Sequence, residues 1–540
     1  MTVMTEQTGK RTDRGRVFWL ILAFILPICL AMTVRFTTTT TGEASYDAFY
    51  HAGIAKLGPE VFCAKTFPWL ESSVWKTSFA DKELLYHAGI WMVFRIQKFF
   101  GLPDGPPFAG PVFFWLLFLS GAWVFAGVRL KLPPPLICIG SLLFATIAPN
   151  WTYRMVMLRP HVVSIACFLT AAGLLAESRF RVKLLTMTAL SLVYSWTYSN
   201  PHFIVILPLV YACFAWRKER PRVFLLPLCS LCAVLFGLLV HPQFPNSFLI
   251  WKIQSWDALL SPMINAGSLA LPTEMMPPGF VWQLTVIPLY LLVFFNLASA
   301  IRLIERFGWG VFDPLVYTLL FLSFAFTGGI FLAMRSIEYA APLSVLVFLI
   351  LFDMLLHRNM VIPFRRFGLR MPLLVLAAAS AVLSTLSICK VVYDSRKAVN
   401  RPLSGMAAWF ERNLAPDEAV VNVDWSDFTI LFYSSSRQRY QWGLDPVFTL
   451  TCYPERAAIL EKTRHVDRKP VSPYEIGRMF NARYAVILFP RIQQASFLAE
   501  NGWKLRDEIR TGKRTEGWIF ALDEREAVNL PHTRIRPLEK

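Results

Sequence analysis

Charge is scarce in this chain. Only 17% of its 540 residues are Asp, Glu, Lys or Arg, where a soluble domain carries about a quarter. Histidine is rarer still, with eight in the whole sequence, so each one beside an acid is a candidate for chemistry. No GxGxxG, phosphate-loop, HExxH or Ser–His–Asp signature is present, so ATP-driven and nicotinamide chemistry have no support. No pair of CxxC motifs has zinc spacing. Most of the nine cysteines lie in apolar stretches, where they act as small hydrophobes. Cys63 and Cys452 fall in predicted exterior segments, where a disulfide and two free thiols are both open readings. There is no internal repeat and no low-complexity tract.

What the chain has is apolar surface, at 55% hydrophobic residues. About eleven hydrophobic stretches run through the first 390 or so residues: 17–34, 112–128, 133–148, 162–176, 182–197, 203–216, 223–240, 280–300, 315–332, 339–356 and 371–392. Several are close to the roughly 17–25 residues needed to cross hydrocarbon. The formal net charge of +18 does not indicate a nucleic-acid partner. Lys and Arg fall in short blocks between the apolar runs, as the positive-inside rule requires, and no basic stripe with interleaved aromatics appears.

Topology follows from those blocks. The N-terminus, with Lys10, Arg11, Arg14 and Arg16, is expected in the cytoplasm as an uncleaved signal anchor. Basic loops at Arg129, Arg179, Arg217, Arg302 and His357 then all face inward if 84–100 is a surface helix rather than a span. The expected fold is an α-helical polytopic membrane protein with about eleven spans and a C-terminal exterior α/β domain. Residues 1–393 form the membrane domain, including a first exterior loop at 36–110, and 394–540 form the exterior domain. In that domain "AVVNV" and "YAVILF" read as buried strands, and "KLRDEIRTGKRTEGWIFALDE" as a hairpin. "SPYEIGRMF" reads as a helix with Ser472 as its N-cap and Glu475 three residues later. The C-terminal domain is then expected on the exterior side of the membrane.

The outward segments hold the polar residues. Asp47 and His51 in "YDAFYH" are four apart, on one helix face. Glu83 and His87 repeat that spacing, with Asp81 just before them. Carboxylates beside membrane helices are costly and mark a candidate site. Asp47 is read as general base for an acceptor hydroxyl, helped by Asp81 or His51. Helix capping and pairing at the headgroup level is the plain structural alternative. Acid–histidine pairs also suit Mg²⁺ or Mn²⁺, with Asp47 and Asp81 as ligands if a metal is used. Arg154, Arg159 and Arg335 lie on the side that the topology rule disfavours, and their planar forks match phosphate oxygens. Snorkelling at the interface is the alternative. His161 and His202 are candidates to line the same cavity.

These elements together resemble the GT-C superfamily of integral-membrane glycosyltransferases, which includes protein O-mannosyltransferases, aminoarabinose transferases and oligosaccharyltransferase catalytic subunits. "SYDAFYH" is similar to the first-loop D-x-x-Y-H element of oligosaccharyltransferase-like members, and "FADKELLYH" to the second acidic element of that loop. "RMVMLRPHVVS" is similar to an Arg-Pro segment that opens a mid-chain span. The resemblance implies Asp47 as the catalytic or metal-linked acid, Asp81 in support and Arg159 on the lipid phosphate. It implies inverting transfer of a hexose or pentose from a polyprenyl-phosphate-linked donor to a glycan, lipid or protein acceptor. The chain has no WWDYG sequence, and Trp425 and Asp427 in "DWSDF" are not equated with it.

Two other classes fit parts of the sequence. A transporter or flippase for a lipid-linked saccharide explains the spans and a polar cavity, but two related halves and mid-span acids are missing. A sensor or scaffold built around the C-terminal domain leaves the first-loop acids without a task.

Overall fold

A computed structural model of the chain describes residues 2–38, 42–43, 45–258, 273–358, 389, 400–466 and 468–524. The chain falls into two compact units. The first holds Met1–Thr40, Ala109–Leu238 and Pro272–Val399, and the second holds Thr41–Phe108, Leu239–Leu271 and Asn400–Lys540.

The first unit is helical. Its sequence is apolar nearly all round each helix, which in lipid leaves intrahelical hydrogen bonding as the way to satisfy the backbone. Helices cover each of the first ten expected spans, and the eleventh, 371–392, lies outside the described residues apart from Cys389. Among the described residues, five helices are long and apolar enough to cross a membrane: Arg14–Thr37, Ala109–Arg129, Pro221–Leu239, Ile287–Phe307 and Met334–His357. Two shorter apolar helices are His161–Leu175 and Pro314–Gly329. Several helices carry basic residues in their last turn, such as Arg129, Lys218 and Arg306, which suits the negative end of the helix dipole. Close approach depends on small residues. A Cβ on Gly140 would stand 2.3 Å from Leu349, so glycine lets helix Pro134–Thr146 meet helix Ile337–His357.

One break in this unit positions the site. Helix Pro134–Thr146 is followed by the short helix Pro149–Met155 at an angle of 94°. Pro149 disfavours helical backbone at the residue before it, and Ala148 is extended at φ −149° and ψ 130°. A tight turn then leads into helix His161–Leu175. The buried Arg35, from the end of the first helix, donates to the Val156 carbonyl and pins that turn.

The second unit combines the first long loop with the C-terminal segment. Its five-stranded sheet has strands β1 (Ala419–Asn422), β2 (Arg439–Tyr440), β3 (Tyr484–Leu488), β4 (Lys504–Thr511) and β5 (Arg514–Ala521). The order is β2-β1-β3-β5-β4, with β1 parallel to β2 and β3, and β5 antiparallel to β3 and β4. The central β3 is buried along its whole length, as the unbroken run "YAVIL" requires. Val421, Trp442, Ile476, Phe480, Ile487, Trp503, Trp518 and Phe520 lie in the core around the sheet. Ser472 does stand at the N-cap of helix Pro473–Phe480, but its side chain makes no capping bond; Pro473 at the first helical position presets the backbone instead.

The first loop packs on this segment through main chain and rings. Glu71 and Ser72 amides donate to the Tyr440 and Gln441 carbonyls at 2.8 and 2.9 Å. Helix Asp47–Leu57 lies on helix Phe428–Ser434, where a Cβ on Gly53 would come within 2.8 Å of Phe432. Helix Leu84–Phe99 also packs on helix Asp47–Leu57. Cys63 and Cys452 are free thiols, both exposed.

Candidate functional site

Among the described residues, the sequence-predicted site residues gather in two polar clusters, one in each unit. In the second unit, helix Asp47–Leu57 begins on Asp47 and presents His51 one turn later, while helix Leu84–Phe99 presents His87. The two imidazoles meet, with His51 Nδ1 2.8 Å from His87 Nε2. The other nitrogen of His87, Nδ1, lies 2.8 Å from each oxygen of Asp81. A carboxylate only accepts, so His87 Nδ1–H donates to Asp81, and in the neutral ring Nε2 faces His51 as an acceptor. Asp81 and His87 are 0% exposed.

Asp81 is aimed by its neighbours. Its carboxylate accepts the Glu83 amide at 3.0 Å, and its own amide donates to Gln243 Oε1 at 2.5 Å. Gln243 in turn donates to the Val61 and Ala64 carbonyls. Glu83 sits just ahead of its helix, and its carboxylate lies 3.8 Å from His51 Nδ1. Burial, then the charges of Asp81, Glu83 and Asp47, push the Tyr50 hydroxyl well above its ordinary pKa. Burial lowers His241, against the pull of Asp81.

Thus His51, Asp81, Glu83 and His87 form one buried cluster. Asp47 is half-buried in the first turn of the helix that carries His51. Donor atoms of His51, Glu83 and His87 lie within 4.8 Å of one another. Two imidazoles and a carboxylate make a donor set for a borderline cation such as Zn²⁺ or Mn²⁺ rather than an all-oxygen site. Asp81 stands where an orienting carboxylate behind a ligating histidine would stand.

In the first unit the arginines gather as a set. Arg154 lies on the short helix after the 94° break, Arg159 in the turn that follows and Arg335 at the start of span Met334–His357. None is an isolated cation. Arg159 grips Glu274 in a two-pronged pair, Nη1 to Oε2 at 2.7 Å and Nη2 to Oε1 at 3.0 Å. Arg154 reaches the same Glu274 at 3.0 Å and donates through Nε to Glu338 at 2.6 Å. Arg335 lies 3.5 Å from Glu338 and 3.8 Å from Glu274, and donates to the Tyr198 hydroxyl at 3.0 Å. Burial alone would raise the Glu274 carboxyl, but Arg159, Arg154 and Arg335 hold it well below the usual range.

His161 donates through Nε2 to the Arg154 carbonyl at 2.9 Å, which ties down the segment carrying the arginines. His202 stands before helix Phe203–Glu219 with its ring 5.3 Å from Phe203. The carboxylates opposite the arginines were not legible as partners. Glu338 and Glu274 are 184 and 120 residues from Arg154 in the chain. The signals available were that acids and arginines shared the outward segments and that Glu338 follows Arg335 by three residues.

No protein-family model matches the chain, and no curated protein matches it in sequence. Solved structures do match in three dimensions. Archaeal oligosaccharyltransferase AglB from Archaeoglobus fulgidus, in complex with an inhibitory peptide and a dolichol-phosphate, aligns at a TM-score of 0.59 and 11% identity, covering 96% of this chain and 75% of that one. The Archaeoglobus fulgidus oligosaccharyltransferase complex with Zn and sulfate aligns at 0.55 and 11%, covering 92% and 72%. ArnT from Cupriavidus metallidurans bound to undecaprenyl phosphate aligns at 0.50 and 14%, covering 93% and 98%. This chain therefore shares the overall fold of these solved structures.

Proposed function

We propose that this protein is a membrane glycosyltransferase that moves a sugar from a polyprenyl-phosphate carrier to an acceptor hydroxyl at the exterior face of a bacterial inner membrane. The observation that carries the reading is the gathering of Arg154, Arg159 and Arg335 at helix ends of an apolar unit. It stands on a fold shared with structures that hold dolichol-phosphate and undecaprenyl phosphate. Arginine forks suit phosphate oxygens, and three of them stabilise charge as it grows on a leaving phosphate.

In this reading the acceptor oxygen forms a bond to the sugar's C1 as the bond from C1 to the phosphate oxygen breaks. The phosphate keeps the electron pair, and the configuration at C1 inverts. Asp47 takes the acceptor's proton. His51 Nδ1, His87 Nε2 and the Glu83 carboxylate are the groups that would hold a divalent cation, whose chemistry there would be to neutralise negative charge on a bound substrate. Asp81 fixes the tautomer of His87, so the ring offers a lone pair toward His51 and Glu83. Positive-inside reasoning sets the C-terminal segment outside the membrane.

The test is reconstitution of the full chain with a panel of undecaprenyl-phosphate sugars, reading release of undecaprenyl phosphate. Asp47→Asn is expected to abolish release while leaving the melting temperature unchanged. Full release by that variant removes Asp47 from the reaction, and no release from any donor by the wild type overturns the reading.

A further inference from the structure

The arginine cluster of the first unit already contains an anion. Glu274 meets Arg159 through both carboxylate oxygens, at 2.7 and 3.0 Å, and shares Oε2 with Arg154 at 3.0 Å. This is the two-pronged geometry by which a guanidinium binds either a carboxylate or a phosphate. The second acid differs. The side chain of Glu338 is 0% exposed and belongs to span Met334–His357, so it is a fixed part of the wall. The side chain of Glu274 is 18% exposed and stands on the single turn Thr273–Met275.

The charges make the contrast functional. Three arginines face two glutamates, a balance of one positive charge. With Glu274 withdrawn the balance is two, enough for the single charge of the sugar-linked phosphodiester and for the about −1.5 to −2 of the spent carrier's monoester. We propose that Glu274 is a resident competitor for the carrier's phosphate, which binds by taking its place on Arg159 and Arg154. The inference rests on the phosphate reading above and adds to it. A carboxylate held on the same forks keeps the arginines paired between turnovers, since an unpaired buried charge is costly. It also opposes retention of the spent carrier, whose extra negative charge would otherwise bind tightly.

The test measures binding of undecaprenyl phosphate to the full-length protein in nanodiscs, with undecaprenol as the uncharged control. Arg159→Ala is expected to weaken binding about tenfold or more, and Glu274→Gln to tighten it by about tenfold. Glu274→Asp, which keeps the charge on a shorter arm, is expected to fall between wild type and Glu274→Gln. None of the three is expected to change undecaprenol binding. Weakened binding in Arg159→Ala with no tightening in either Glu274 variant overturns the competitor role and leaves the phosphate reading standing. Unchanged binding in Arg159→Ala overturns both. If Glu274→Gln does not fold, tightening in Glu274→Asp supports the inference and wild-type affinity there overturns it.

Discussion

His87 donates through Nδ1 to both oxygens of Asp81 at 2.8 Å, and neither residue has any exposed surface. The pair fixes which nitrogen of His87 faces His51 across a further 2.8 Å. A ring held in one tautomer by a buried carboxylate is a positioned group, whether it then holds a cation or polarises its neighbour.

Asp81→Asn should therefore damage activity without touching substrate. The amide can still accept at one atom, but its NH₂ end opposes the His87 donor. A loss of about 10–100-fold in turnover is expected. Asp81→Glu should recover part of it, and addition of Zn²⁺ or Mn²⁺ should shift the dose needed for half activity upward in Asp81→Asn. Wild-type rate and metal response in Asp81→Asn would show that the pair only packs.

Glu338→Gln should act on stability. It leaves Arg154 and Arg335 facing a neutral amide where a buried carboxylate stood. Breaking one side of a buried ion pair costs about 3–5 kcal/mol, less whatever Glu274 recovers by bonding to the same arginines. A fall in melting temperature in detergent, larger than for Glu274→Gln, is the expected result. Equal melting of the two variants would contradict the wall-and-rim difference between the two acids.

In the second unit, Asp427 is wholly buried beside Arg491, and Asp424 lies nearby. Burial pushes its carboxyl up to about 6, against the pull of Arg491 and with a further push from Asp424. The folded form thus holds a proton that the unfolded form has released. Between pH 4 and pH 6, roughly, the contribution of Asp427 to stability falls as pH rises, and above that window it changes no further. Unfolding of the wild type and Asp427→Asn across pH 4–8 reads this directly. The wild type is expected to lose stability relative to Asp427→Asn across the window. A constant difference would place the Asp427 carboxyl in the ordinary range.

Much of the helical unit was readable from composition, because apolar runs of spanning length have few alternatives. The arginines were readable too, since Arg154, Arg159 and Arg335 stood on the side that the charge rule leaves sparse. The partners of Arg154 and Arg159 were not, because pairing across more than a hundred residues leaves no spacing signal, whereas Arg335 and Glu338 stand only three apart. The first-loop acids show the limit of local rules. Four-residue spacing pointed to Glu83 as the partner of His87, but Glu83 sits ahead of the helix and its carbonyl, not its carboxylate, meets the His87 amide. The side-chain partner is Asp81, six residues away, swung into place by a turn in which it accepts the Glu83 amide. Strands β1 and β3 were legible as buried runs and β4 and β5 as a hairpin, whereas the two-residue β2 and the pairing of the first loop with the C-terminal segment were not, because the pairing rests on main-chain bonds such as Glu71 to Tyr440.

The break at Ala148 has a bearing on the bilayer itself. Helix Pro134–Thr146 has 13 residues, so at 1.5 Å per residue it reaches about 20 Å, well short of a hydrocarbon layer of about 30 Å. Thinning of the lipid beside it is one way for a bilayer to meet so short a rod. Local thinning there would draw a headgroup inward, toward the depth at which the adjoining short helix carries Arg154.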